Sequence, residues 1–401
     1  VGVNCMLSNT TASNNTAVGY KSLEANTTGT GNTATGSLAL KLNTTGNNNT
    51  AYGFEALLSN TTDDNNTAVG YQGMYNNTTG SNNVAFGHKA LYANTTGSVN
   101  TALGQEALQN NTTASNNVAV GRQALSANTT GSNNVSVGYQ SSYDTTTGGN
   151  NTATGYQALY ANTTGSDCVA NGLYSLLSNT TGLENVAVGR SSLQNNTTAS
   201  QNTAVGHTAM LNTTTGNENV AVGAQAIRTN TTGSKNTAVG WAALYNNTTA
   251  SDNTATGRAA LFTNTTGGAN AAFGKEALYN CTTGSDNVAC GLSALYNSTT
   301  ASGGTGIGKS ALVSVTTGSK NTAIGFDAGG DTTTGSFNVS VGNHVGPAAS
   351  DHSYTITIGD DITSIGESYF TFGRQGHRVY NQFTSNASWT RSSDVRLKKD
   401  I

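Results

Sequence analysis

A chain of 401 residues with 9% charged side chains, 7% aromatics, 49 glycines and one proline is not composed like ordinary globular domains. Nor is it composed like a disordered segment, in which low hydrophobicity goes with high net charge and abundant proline. The formal net charge of −3 offers no basic footprint for nucleic acid or anionic lipid, and there is no apolar run long enough to span a membrane, so neither partner is expected.

The chain opens at Val1-Gly2-Val3, in the middle of a repeat and without an initiator Met or a signal peptide, and is expected to be a piece of a longer polypeptide. From Gly2 onward glycine returns at every seventeenth position, through Gly19, Gly36 and Gly53 as far as Gly342, with no insertion or deletion. Globular folds tolerate indels between their elements. A stack of identical coils does not, because one extra residue breaks every ladder at once. The fold class expected is therefore all-β: a parallel β-roll or β-solenoid of 17-residue turns over residues 1–342, with strands ~4.8 Å apart. Twenty turns at that spacing make a rod on the order of 100 Å long.

Each turn reads the same way. Three residues before the register glycine stands Thr or Val in 19 of 20 complete turns, two before it Ala in 17, and one before it mostly Val, Ile, Phe or Thr, which is the alternation of a short strand. The expectation is that the β-branched pair, Val186 and Val188 for example, faces a narrow core and the alanine faces away. Four residues after the glycine comes Leu, Met or Ile in 18 of 20 turns, as in Leu23, Leu91, Ile227 and Leu312, which predicts a second short strand whose Leu meets the Val pair. A helix is disfavoured there by length, since Gln105–Gln109 and its equivalents offer only about six residues between Gly and Asn-Thr-Thr, and a strand or a tight coil is preferred. Thr-Thr follows in every turn, and Asn opens the next turn in 18 of 20, placed to cap open amides at a corner.

Five residues after the register glycine runs a patchy aromatic column: Tyr75, Tyr92, Tyr143, Tyr160, Tyr245, Phe262, Tyr279 and Tyr296. An alternating strand cannot place this column inside together with the preceding Leu, so it faces a partner chain or solvent. With so thin a core per turn, a homotrimer is expected, Ala and Tyr columns packing between three coils. Stacking of Tyr160 or Tyr279 on a surface glycan is the alternative use.

The block Asn117-Val118-Ala119-Val120-Gly121 resembles the Asn-Ser-Val-Ala-Ile-Gly signature of the YadA-type head of trimeric autotransporter adhesins. That resemblance extends over residues 1–342 and implies a left-handed β-roll and a trimer, although the family's usual unit is about 14 residues and the unit here is 17. At the other end, Trp389–Ile401 looks like the start of the endosialidase-type C-terminal intramolecular chaperone of phage tail fibres and spikes. It implies a self-cleavage motif in which Ser393 is the nucleophile and Lys398 the base, a lysine suiting that role when desolvation lowers its pKa. Only the first residues of that chaperone, 393–401, are contained in the sequence. Between the two, residues 343–392 leave most of the repeat behind and read as a β-rich cap or neck, with strands expected at 353–358, 369–372 and 378–383.

Other chemistry finds little support. His344, His352 and His377 lie near Asp351, Asp360 and Asp361 without ligand spacing, and no phosphate loop, paired carboxylates or regular calcium-binding Asp repeat is present, so no cofactor or metal and no enzyme activity beyond the self-cleavage motif is expected. Four cysteines, Cys5, Cys168, Cys281 and Cys290, occupy four different columns, the pattern of sporadic replacement of small residues and not of a disulfide framework. Asn-Thr-Thr is formally a glycosylation acceptor, but sugars on rungs ~5 Å apart would crowd, which favours ladder packing. Adjacent threonines point in opposite directions, which argues against an ice-binding face. The chain is thus expected to be a structural and adhesive fibre protein, the trimeric shaft of a bacteriophage tail fibre or a similar extracellular appendage. A bacterial trimeric surface adhesin is the alternative, and a depolymerase would need a cleft that nothing before residue 343 supplies.

Overall fold

The structure is a computed structural model describing residues 1–384. All of its regular secondary structure is β, and the described residues contain no helix. The chain divides into two compact units, Val1–Thr208 and Ala209–Ile401.

In the first unit, three-residue strands recur once per repeat from β1 (Thr16–Val18) and β2 (Thr33–Thr35) to β11 (Val186–Val188) and β12 (Thr203–Val205). Each pairs in parallel with the strand one repeat onward, Thr16 opposite Thr33, Ala17 opposite Ala34 and Val18 opposite Thr35. One turn is thus 17 residues, and the fold is the expected parallel β-solenoid. Pairing is not confined to the strands. The amides of Leu23, Thr27 and Thr33 donate to Ala39, Thr44 and Asn49 of the following turn at 3.1, 2.9 and 2.8 Å, so the whole circumference is hydrogen-bonded between rungs.

The faces of the strand are the reverse of those expected. Alanine points inward and is wholly buried at 34, 51, 68 and 85, while the flanking residues point out, as in Val84 and Phe86 beside Ala85. The reason is the width of the coil. Leu40, Leu57 and Leu91 fill the interior from the opposite side, assisted by a second buried alanine column at 39, 56 and 90, and no room remains for a β-branched pair. Burying each leucine stabilises by about 2 kcal/mol.

The second strand predicted around these leucines does not form. Lys21 and Leu23 hold φ of 54° and 50°, and the same left-handed pair recurs at Leu38 and Leu40 and at Glu55 and Leu57. Two such residues with one between them make a tight corner that turns the leucine into the core. Ordinary side chains rarely adopt this conformation, and here the inter-rung hydrogen bonds and the burial of leucine impose it.

The other corners are built from asparagine. Two columns, one beginning Asn26, Asn43, Asn60 and the other Asn32, Asn49, Asn66, are fully buried. Asn43 Nδ2 donates to Asn26 Oδ1 at 2.9 Å and to Gly46 O at 3.0 Å. In the second column the Asn49 amide donates to Asn32 Oδ1 at 2.9 Å, and Asn32 Nδ2 donates to Gly46 O at 2.8 Å. Buried amides are tolerable only when satisfied, and stacking like on like satisfies donor and acceptor together at Asn32 and Asn43, while Asn66 Nδ2 has no partner.

The second unit repeats this construction from β13 (Val220–Val222) to β19 (Thr322–Ile324). The strands then lengthen to eight residues in β20 (Val339–Gly346) and β21 (Ile356–Thr363), with Pro347 ending the former. The next parallel step, to β22 (Tyr369–Arg374), is 14 residues, Ile356 opposite Phe370 and Gly359 opposite Gly373. β23 (His377–Gln382) then pairs antiparallel with β22 and closes the unit with a hairpin. Strands are therefore found at all three places expected beyond residue 343, the first of them shifted toward its C-terminal end.

Candidate interaction surfaces

Side chains that leave the coil form columns, and each column has its own chemistry. In the Thr-Thr pair the first hydroxyl is used inside the fold, Thr44 Oγ1 donating to Thr61 O at 3.0 Å, and the second threonine is exposed. The opposite directions expected of the pair are observed. In the Asn-Thr-Thr triplets whose asparagine stands in the ladder, Asn26, Asn43, Asn60 and Asn77 among them, the asparagine is buried, and Nδ2 of Asn43, Asn60 and Asn77 is committed to the ladder, so the folded chain presents no glycosylation acceptor at these sites.

The aromatic column is half-buried. Tyr245, Phe262, Tyr279 and Tyr296 form one stack with centroids 5.1 Å apart and ring planes within 16° of parallel. Tyr75 with Tyr92, and Tyr143 with Tyr160, make shorter stacks at 5.3 Å. Burial raises the phenol pKa of Tyr75 and Tyr160, with nearby Glu55 and Asp144 adding to it. Arg228 closes the long stack, its guanidinium 5.5 Å from the Tyr245 ring and Nη1 donating to Tyr245 Oη at 2.6 Å. Ring faces inside a stack are therefore covered by neighbouring rings, and what the column offers outward is mainly ring edges.

The outward strand face was missed at the sequence level. Its columns, three and one residues before each register glycine, include Val18, Tyr52, Phe86 and Leu103 in the first unit and Phe273, Ile307 and Ile324 in the second, all exposed. Between Thr16 and Val341 neither column contains a charged residue. That absence of charge was the signal available, since a β-branched pair toward water looks in sequence just like one toward a core.

At the C-terminal end of the second unit a polar cavity of about 570 Å³ is lined by Asp327, His344, Asp361, Gln375 and Arg378 among others. His344 Nδ1 lies 3.1 Å from Asp327 Oδ2, and Arg378 Nη1 donates to Thr363 O at 3.0 Å. Among the described residues no three His, Cys, Asp or Glu side chains converge on a metal position, and all four cysteines are free thiols. Cys168 and Cys281 replace asparagine in the two buried ladders, their sulfurs 3.4 Å from Gly182 O and Gly284 O, and burial pushes each thiol up to about 11. Ser393 and Lys398 lie outside the described residues. No described helix is long and apolar enough to cross a membrane. No protein-family model matches the chain, and no curated protein matches it.

Proposed function

We propose that the chain is a structural fibre protein, a homotrimeric shaft segment of a bacteriophage tail fibre or a similar extracellular appendage that supports host attachment. The observation carrying this reading is the unbroken identity of the rungs: within each unit every turn hydrogen-bonds to the next all round its circumference. Such a stack is suited to spanning distance and bearing load, with chemistry confined to its ends. The single 14-residue step from Gly359 to Gly373 has the length usual in the adhesin heads that the repeat resembles.

By resemblance, Ser393 and Lys398 would serve one self-cleavage event in a chaperone continuing past Ile401, and no other catalysis is proposed. Surface glycans are the proposed target of attachment, with the aromatic column as the element that would contact them. The bacterial trimeric adhesin remains the second reading, favoured by the same Asn-Val-Ala-Val-Gly block. The coding sequence downstream of Ile401 separates the two: a chaperone domain supports the tail fibre, a membrane anchor the adhesin. Native mass, measured before and after boiling in detergent, tests the shaft itself. A trimer that survives detergent without heat and falls to a monomer on boiling is expected, and a monomer throughout would overturn the reading.

A further inference from the structure

We infer that the column one residue after each register glycine binds an acidic linear polysaccharide, laid along the coil of the second unit over Trp241, Arg258, Lys275, Lys309 and Phe326. The inference rests on the glycan part of the attachment reading and deepens it, by moving the contact to a second column and assigning the ligand a charge.

The first argument is charge. Between residues 1 and 342 the chain has eleven lysines and arginines and fourteen acidic residues. Five of the former, Arg122, Arg190, Arg258, Lys275 and Lys309, stand in this one column, and none of the latter does. Three of the five, all exposed, fall within four consecutive rungs of the second unit, a span of ~14 Å. The acids of the adjoining column there are Glu276, 3.5 Å from Lys275, and Asp327, which is engaged by His344. Arg258 and Lys309 have no carboxylate partner among the described residues.

The second argument is the orientation of the rings. In this column of the first unit Phe54, Tyr71 and His88 stack at 5.6 and 5.3 Å, so ring faces lie along the coil and edges point outward. In the second unit cations take up the faces: the Arg258 guanidinium is 5.4 Å from the Trp241 ring and the Lys309 ammonium 5.4 Å from that of Phe326, which His344 also meets at 4.9 Å. An aromatic ring is negative on its face and positive at its edge. Ring edges and cations together make the column positive toward solvent, which suits the carboxylate or sulfate oxygens of an extended polymer. Nucleobases find few ring faces on which to stack, and single-stranded nucleic acid draws much of its affinity from such stacking.

The third argument is repetition. One exposed ion contact is worth little, but a polymer held at one rung meets the next as an intramolecular partner, and weak contacts along a straight column accumulate. Trp241 is 48% exposed and Phe326 43%, so both ends of the stretch are open to such a chain. Three copies packed on this column would set like cations against one another at the same level, so the homotrimer reading leaves it facing solvent.

The test uses the full chain and fluorescein-labelled polygalacturonate, with dextran of equal length as the uncharged glycan and oligothymidylate as the nucleic acid. In about 0.05 M sodium chloride the parent should bind polygalacturonate at least tenfold more tightly than either control polymer. Raising the salt to about 0.2 M should weaken that binding roughly tenfold, as release of about three counterions implies. Arg258→Gln, Lys275→Gln and Lys309→Gln together should abolish the preference. Lys41→Gln, Lys235→Gln and Lys320→Gln remove the same charge from other columns and should leave it within about twofold. Acetylation footprinting of the parent needs no variant: polygalacturonate should slow modification of Lys275 and Lys309 at least fivefold and leave Lys235 and Lys320 unchanged. Dextran or oligothymidylate bound as tightly as polygalacturonate overturns the acidic-glycan assignment alone, and binding of neither glycan overturns the glycan reading with it. Protection of Lys235 and Lys320 in place of Lys275 and Lys309, or equal losses in the two folded triple variants, overturns the column.

Discussion

Gly121 and Gly131 belong to one turn and answer to different constraints. Gly121 holds a φ of 131°, and a Cβ there would stand 2.5 Å from Gly138 O of the next rung, so both conformation and space require glycine. Gly121→Ala should cost about 2–4 kcal/mol through backbone strain and a displaced rung. Gly131 has no such φ; a Cβ there would also press on Gly148 O, but the same column takes Ala114, Ala199, Ala250 and Ala301, so the rung can shift to admit it and Gly131→Ala should cost only about 1 kcal/mol. Urea unfolding of the two variants compares them directly. The asparagine ladder offers the opposite kind of change. Where Thr145 interrupts it, Asn128 Oδ1 makes no hydrogen bond and Asn162 Nδ2 reaches Thr145 Oγ1 only at 3.5 Å. Thr145→Asn should restore both contacts and stabilise by ~1 kcal/mol, whereas Asn77→Ala, which strips Asn60 Oδ1 and Gly80 O of their donor, should cost ~2–4 kcal/mol. At Cys168 and Cys281 the thiol pKa is about 11 in the fold against 9.0 in the unfolded chain. Below pH 9 both states hold the proton and nothing changes. From pH 9 to 11 only the unfolded chain releases it, so stability falls across that window, and the Cys168→Ser, Cys281→Ser double variant should show a shallower fall than the parent.

At the scale of the rung, the repeat length was legible because glycine has no substitute at Gly121 and its equivalents, and a column without exceptions fixes a period without reference to anything else. Which way the strand faces was not legible. Thr-Ala-Val and Val-Ala-Val alternate equally well with alanine in or out, and the choice depends on the width of the coil, which the left-handed corner at Lys21 and Leu23 sets. Those corners have no residue signature, since Lys, Leu, Glu, Gln, Ser and Tyr all occupy the first left-handed position. The asparagine corners were half legible: a capping role could be read from their recurrence, but not that both columns are buried and bonded to their own copies. Because the rung is the unit, its deletion should be nearly silent. Removing the 17 residues from Val118 to Asn134 joins Asn117 to Val135 in phase, and thermal unfolding should move by only ~2–3 °C. Removing Asn133 alone leaves a rung one residue short against neighbours bonded around their whole circumference, and should lower the transition by ~5 °C or more. Equal shifts for the two deletions would show that the 17-residue rung is not the unit of stability.

For the molecule as a whole, the scarcity of charge sets the response to solvent. Among the described residues, Lys21–Glu24 and Lys275–Glu276 are ion pairs and His344 touches Asp327, each partly exposed and so worth little. With 17 basic against 20 acidic residues spread over 401, neither attraction nor self-repulsion has much leverage on folding. Raising sodium chloride from 0.02 to 0.5 M collapses the range of charge interactions from roughly 20 Å to roughly 4 Å, yet the unfolding temperature should shift by no more than ~2 °C and the native mass should not change. Sulfate acts differently, because it is excluded from protein surface and strengthens apolar burial. At 0.5 M sulfate the unfolding temperature should rise by several degrees. A sodium chloride shift as large as the sulfate shift would mean that charged columns, such as that of Glu55, Lys89 and Glu106, carry the stability in place of the buried leucines.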